Sequence, residues 1–197
     1  MTAALILAAG ESRRMGSPKA LLQYRSETFL GRLVRLMATR CAPVVVVLGA
    51  SADQIREHAP SGCKLVWNPD YLSGQTSSMQ CGLRALPPAV DGVLFTLVDH
   101  PAVAQETIDA LLPGRPNAHG SAAPVLRIPR CGGRRGHPIW FSAELIPEFL
   151  ALPTTGAARD VVRAHAAETE FFDLDDPGIL ADIDDPAAYR ALTGAVR

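Results

Sequence analysis

The chain has 197 residues, is 48% hydrophobic and carries 19 basic against 20 acidic side chains for a net charge of −1; that suits one domain with a full core and excludes a global positive field for nucleic acid or anionic lipid. Its four cysteines, Cys41, Cys63, Cys81 and Cys131, form no C-x-x-C pair, which argues against a zinc knuckle or a redox dithiol and for reduced thiols in a cytoplasmic protein. No apolar run approaches a membrane span and the first residues lack a signal-peptide pattern, so neither a membrane nor a nucleic acid is an expected partner.

In chain order, Ala3 to Ala8 reads as a buried strand, and Phe29 to Thr39 carries a helical stripe of Phe29, Leu30, Leu33, Val34 and Met37. Pro43 to Leu48 is a valine run suited to a parallel strand buried on both faces. Ser51 is expected to cap a helix reaching His58. Lys64 to Trp67 is a short strand, Thr76 to Leu86 a helix, Gly92 to Val98 a strand and Gln105 to Leu112 a helix. This β-α-β-α order predicts an α/β fold, a mostly parallel sheet with helices on both faces. The order weakens after Pro113. A strand is expected at Ser121 to Leu126, a glycine-bearing loop at Pro129 to Gly136 and a strand at Ile139 to Phe141. Helices at Ala143 to Leu150 and Ala157 to Ala166, a strand at Glu170 to Asp173 and a helix from Pro186 complete residues 1–197, read as a single domain.

The loop after the first strand runs Gly10-Glu11-Ser12-Arg13-Arg14-Met15-Gly16-Ser17-Pro18-Lys19. In open α/β sheets ligands sit beyond the carboxyl ends of strands, where backbone N–H groups of a glycine loop can approach phosphate oxygens. It is not a P-loop: five residues separate Gly10 from Gly16, and Ala20 follows Lys19. Nor is it G-x-G-x-x-G, because Ser12 stands where the second glycine would fall. A phosphate cradle and a merely solvated basic loop both fit these residues. Asp99 closes the strand Phe95 to Val98, a position suited either to ligating Mg²⁺ or to capping a turn before Pro101. Asn68-Pro69-Asp70-Tyr71 and Gly74-Gln75-Thr76-Ser77-Ser78 suit either a base-reading loop or a helix start capped by Ser73 or Thr76. Arg135-Gly136-His137-Pro138 is either a turn or a substrate contact. Asp182 and Asp184 alternate across Ile183, so an extended backbone turns both to one face, while Asp185-Pro186 is a good helix start.

Leu7-Ala8-Ala9-Gly10, Arg14-Met15-Gly16 and Pro18-Lys19 together resemble the signature of the MobA-like nucleotidyltransferases, and within them the molybdenum cofactor cytidylyltransferases. Asn68-Pro69-Asp70-Tyr71, Gly136-His137-Pro138 and Asp182-Ile183-Asp184 are similar to further motifs of that group. The resemblance runs from Leu5 to about Tyr189 and implies a Rossmann-like three-layer α/β/α fold. It implies that Leu7, Ala8, Ala9, Gly10, Arg14, Gly16 and Lys19 wrap the triphosphate of CTP, with Gly74, Gln75 and Ser78 on the base side. Arg14, Lys19 and Asp99 become the catalytic set, Asp99 and Asp184 the ligands of Mg²⁺ (or Mn²⁺), and His137 and Arg159 contacts to a molybdopterin acceptor. Asp-Gln-Pro is the commoner family form at Asp99; His100 departs from it and is expected to make local hydrogen bonds. A molybdenum hydroxylase is the implied recipient of the product. The alternatives are transfer to another phosphorylated small molecule, or a non-catalytic molybdopterin chaperone.

Overall fold

Three buried, nearly all-apolar strands form the centre of the fold. In the computed structural model, which describes residues 1–114, 124–153 and 155–194, β1 (Thr2–Ala8) lies between β4 (Val44–Leu48) and β6 (Gly92–Leu97), parallel to both. Beyond β4 lies β5 (Lys64–Trp67), also parallel, as an edge. On the other side β9 (Ile139–Ser142) pairs antiparallel with β6 and with β7 (Leu126–Cys131), and β10 (Thr169–Asp173) closes that edge parallel to β7. The sheet order is therefore β10-β7-β9-β6-β1-β4-β5. Because β9 reverses between them, β7 and β6 run the same way, and their carboxyl ends share one side of the molecule.

Alternation along the strands explains the two flanking layers. Ala4, Ile6 and Ala8 of β1 with Val44, Val46 and Leu48 of β4 face one core. There α1 (Phe29–Ala38), α2 (Ala52–Glu57), α4 (Gln105–Leu111) and α7 (Pro186–Gly194) contribute Phe29, Leu33, Ile55, Ile108 and the partly buried Tyr189. Leu5, Leu7, Val45 and Val47 face the other core. It is covered by α3 (Gln75–Arg84), α5 (Ile146–Ala151) and α6 (Ala158–Ala164) through Met79, Leu83, Phe149 and Val161.

Several expectations are corrected. Ser51 precedes α2 but its side chain makes no capping bond. Thr28 caps α1 instead, its hydroxyl accepting from the Gly31 N–H at 2.9 Å. Gln23–Tyr24 (β2) and Glu27–Thr28 (β3) form a small hairpin, which two-residue strands hide from any periodicity argument. Pro129 to Cys131 lies in β7 rather than in a loop, and the chain turns at Gly132-Gly133 to pair with β8 (Arg134–Arg135). Proline lacks the N–H but keeps a carbonyl, and that of Pro129 accepts from the Gly136 N–H at 3.0 Å just beyond β8. Of the strand expected at Ser121 to Leu126, residues 121–123 lie outside the described residues, and β7 begins at Leu126. The helix expected at Ala143 begins as a 3₁₀ turn, Ala143–Leu145, before α5.

Candidate functional site

The carboxyl ends of β1 and β6 open into a cleft of about 410 Å³. Its floor and one wall are the first loop. Ser12 has a left-handed backbone (φ 51°), and its carbonyl accepts from the N–H groups of Met15 (2.9 Å) and Gly16 (3.2 Å). Its hydroxyl accepts from the Lys19 N–H at 3.1 Å, so the loop closes on itself just before a 3₁₀ turn, Lys19–Leu21. That turn aims Lys19 across the cleft. Lys19 Nζ lies 2.9 Å from Asp99 Oδ2 and 2.5 Å from Asp184 Oδ1, and Arg14 Nη2 lies 2.6 Å from Asp184 Oδ2. Burial works against the Lys19 ammonium, yet its bonds to Asp184 and Asp99 outweigh that and hold its pKa above the usual range. The same Lys19 bond, joined by Arg14, holds Asp184 below the usual carboxylate range.

Asp99 stands two residues beyond β6, where the Val98 N–H donates to the Leu7 carbonyl at 3.0 Å. The buried Arg32 of α1 steadies the segment that follows, donating from Nε to the Pro101 carbonyl (2.8 Å) and from Nη2 to that of Val103 (3.3 Å). The Ile183 N–H donates to the Asp99 carbonyl at 3.0 Å. With Ile183 buried, Asp182 and Asp184 are both carried to the Asp99 side, as strand-like alternation predicts. Their surroundings differ. Asp184 is paired with Lys19 and Arg14. Asp182 groups with Asp99 and His100, and burial together with the charges of Asp99 and Asp184 raises its pKa.

His100 does not make the local side-chain hydrogen bonds expected of it. It is buried, its Nδ1 has no hydrogen-bond partner among the described residues, and its ring packs on His137 with centroids 4.8 Å apart. His137 also packs edge-on against Phe95 (5.9 Å), and burial drives its pKa down to about 4. Gly136 sits against the carbonyl of Ile179, which accepts from the His137 N–H at 3.0 Å; a Cβ on Gly136 would lie 2.4 Å from that oxygen.

The opposite wall is the start of α3. Gly74, at φ 108° and ψ 176°, adopts a conformation almost confined to glycine, and it occupies the cap position expected of Ser73 or Thr76. Thr76 instead donates its hydroxyl to the Gly156 carbonyl at 2.7 Å. Asn68 Nδ2 donates to the hydroxyls of Ser77 and Ser78, both at 3.0 Å. The helix thus presents its N-terminal N–H groups, the positive end of its dipole, at the cleft.

Of the residues expected to meet the nucleotide, Leu7, Ala8, Ala9, Gly10, Arg14, Lys19, Gly74, Gln75 and Ser78 line the cleft, as do Asp99 and Asp184. Gly16 supports the loop's turn rather than the lining. His137 lies behind Asp99, packed on His100. Arg159 is exposed on the first turn of α6, and its neighbour Asp160 pairs with Arg163 (3.6 Å) instead of with it. Sequence reasoning missed Tyr71 and Ile55, which line the cleft, and Arg32, which supports it. Tyr71 lay inside a quoted motif; Arg32 gave no signal, because its carbonyl partners come from 69 and 71 residues away.

The MobA-like NTP transferase domain matches residues 4–169. The nicotine blue oxidoreductase of Paenarthrobacter nicotinovorans is 35% identical over 186 residues, 91% of this chain and 90% of that protein. The 2-C-methyl-D-erythritol 4-phosphate cytidylyltransferase of Streptomyces avermitilis is 36% identical over 64% of this chain and 54% of that protein. Among solved structures, Rv0371c of Mycobacterium tuberculosis superposes with a TM-score of 0.82 at 26% identity, covering 98% of this chain and 97% of that one. Its manganese complex superposes with a TM-score of 0.74 at 25% identity.

Proposed function

The chain belongs to the MobA-like NTP transferase family, and on that premise we propose that this nucleotidyltransferase, acting as one domain, moves CMP from CTP to the terminal phosphate of molybdenum-loaded molybdopterin and releases pyrophosphate. The observation that carries the reading is Lys19, held between Asp99 and Asp184 at the mouth of a cleft lined by the first loop. Two cations and three acids meet where a triphosphate would enter.

An oxygen of the acceptor phosphate attacks the α-phosphorus of CTP in line, and pyrophosphate departs. A phosphate monoester is already ionised near neutral pH, so no general base is required. Lys19 and Arg14 leave Asp184 for the phosphates and stabilise charge as the leaving group separates. The loop and the α3 N-terminus orient the two anionic reactants. Gln75 and Ser78 face the base, and His137 and Arg159 belong to the acceptor side. The Oδ1 of Asp99 is buried with no hydrogen-bond partner among the described residues, which fits a divalent cation held by Asp99 with Asp184 or Asp182. Mg²⁺, or Mn²⁺ as found with the M. tuberculosis relative, would supply charge neutralisation of the phosphates there. The product's recipient is a molybdenum hydroxylase, and the reaction is cytoplasmic.

The test is pyrophosphate release from purified protein given molybdopterin, a divalent cation and each NTP in turn. CTP alone should support it. Preference for GTP overturns the cytidylyl assignment, release with another phosphorylated acceptor in place of molybdopterin overturns the acceptor, and failure of every NTP to give release overturns catalysis. Because one relative is named as an oxidoreductase, dye reduction without pyrophosphate release also overturns the reading. Lys19→Ala and Asp99→Ala should each lower turnover by about 10² or more while leaving the circular dichroism spectrum native.

A further inference from the structure

Beside the ion pairs of the cleft lies a second group of donors, which shares Asp99 with them. Asp99, His100 and Asp182 each offer a ligand atom, and the three atoms lie within 4.8 Å of one another. The His100 side chain is only 8% exposed, and its Nε2 lies 3.9 Å from Asp99 Oδ1. Among the described residues neither that oxygen nor His100 Nδ1 has a hydrogen-bond partner. Buried polar atoms without partners are costly, and an unpartnered carboxylate oxygen 3.9 Å from an imidazole nitrogen, too far for a hydrogen bond, points to a third party between them. Packing against His137 fixes the His100 ring from behind, whereas Asp182 is exposed on the open side. Donors around one small divalent ion sit about 2.0–2.2 Å from it, hence about 3–4.4 Å apart, so a contraction of a few tenths of an ångström would close this set.

We propose that His100 is a direct nitrogen ligand of the cleft's divalent cation, completing with Asp99 and Asp182 a two-carboxylate, one-imidazole set that prefers Mn²⁺ to Mg²⁺. The proposal rests on reading the cleft as a metal-assisted nucleotidyl-transfer site. Mg²⁺ takes oxygen ligands and gives up water reluctantly, whereas an imidazole nitrogen favours the transition metals. Before the phosphates draw Lys19 and Arg14 away, those cations engage both oxygens of Asp184, and it is Asp182 that groups with Asp99 and His100.

Metal-stripped full-length protein is titrated with Mn²⁺ by electron paramagnetic resonance, alone and with CTP, and the bound ion is probed for nitrogen coupling by spin-echo modulation. One bound Mn²⁺ with histidine nitrogen coupling is expected, displaced only by about tenfold or greater excess of Mg²⁺. His100→Gln should abolish the coupling and weaken Mn²⁺ by about tenfold or more. Should that variant fail to fold, ¹⁵N-histidine in the unaltered protein must change the modulation, and Asp182→Asn must weaken Mn²⁺. An all-oxygen Mn²⁺ site, coupling that survives in His100→Gln, or no Mn²⁺ binding even with CTP overturns the proposal. Nitrogen-coupled Mn²⁺ in a protein that releases no pyrophosphate overturns the transferase reading and leaves the ligand assignment standing; pyrophosphate release from an all-oxygen site does the reverse.

Discussion

His137 and Lys19 illustrate two ways a partly buried titratable group can be accommodated. Lys19 keeps its charge because two carboxylates surround it; His137 loses its charge because aromatic rings do. The second case has a consequence for stability. An unfolded imidazole takes a proton near pH 6.5, whereas the folded His137 takes one only near pH 4. Between those values the unfolded state holds more protons, so acidification destabilises the fold, by up to about 1.4 kcal/mol per pH unit and about 3 kcal/mol across the window. The buried His100 acts in the same direction. Urea unfolding of His137→Gln between pH 7 and pH 4 should therefore show a shallower loss of stability than the unaltered chain; parallel curves would show that His137 is not buried neutral. At this scale the sequence was most readable where a residue ends a strand or sits in a motif, as Lys19 and Asp99 do. It was opaque where a side chain serves distant backbone. Asp176, which accepts from the Ala104 N–H (2.9 Å), the Thr107 hydroxyl (2.6 Å) and the Gly178 N–H (2.9 Å), looked like one acid among several.

Among the elements, long apolar runs and helical stripes announced themselves, so β1, β4, β5, β6 and α1 fall within a residue or two of their expected bounds. The β2–β3 hairpin, the two-residue β8 and the 3₁₀ turn Pro177–Leu180 did not, because such short elements, without an apolar run to mark them, carry no period and are held by tertiary contacts. That last turn matters most to the cleft. It is pinned by Asp176 at one end and by Gly136 at its middle, and it leads directly into Asp182 and Asp184. Gly136→Ala would drive a methyl group into the Ile179 carbonyl. It should cost about 1–3 kcal/mol and, by shifting the segment that carries both acids, lower turnover more than stability loss alone explains. A thermal melt paired with a pyrophosphate assay well below the melting midpoint checks this; native turnover in a destabilised protein would separate Gly136 from the site.

For the molecule as a whole, the parallel sheet flanked by helices was legible in the β-α alternation, while the reversal at β9 was not. An antiparallel strand of Ile139–Ser142 looks no different in sequence from a parallel one. Burial on both faces together with pairing on both edges sets the order of local stability. Hydrogen exchange followed by mass spectrometry should find peptides of β1 the slowest and those of the edge strand β5 among the faster strands; equal protection would contradict the layered core. The bond from Lys19 to Asp184 spans 165 residues, and it sets a schedule for synthesis. The cationic loop leaves the ribosome 165 residues ahead of its counter-charge. A nascent chain therefore carries Lys19 and Arg14 without Asp184, open to whatever cellular anion it meets. The emergence of Asp184 supplies the carboxylate that both cations hold in the folded chain.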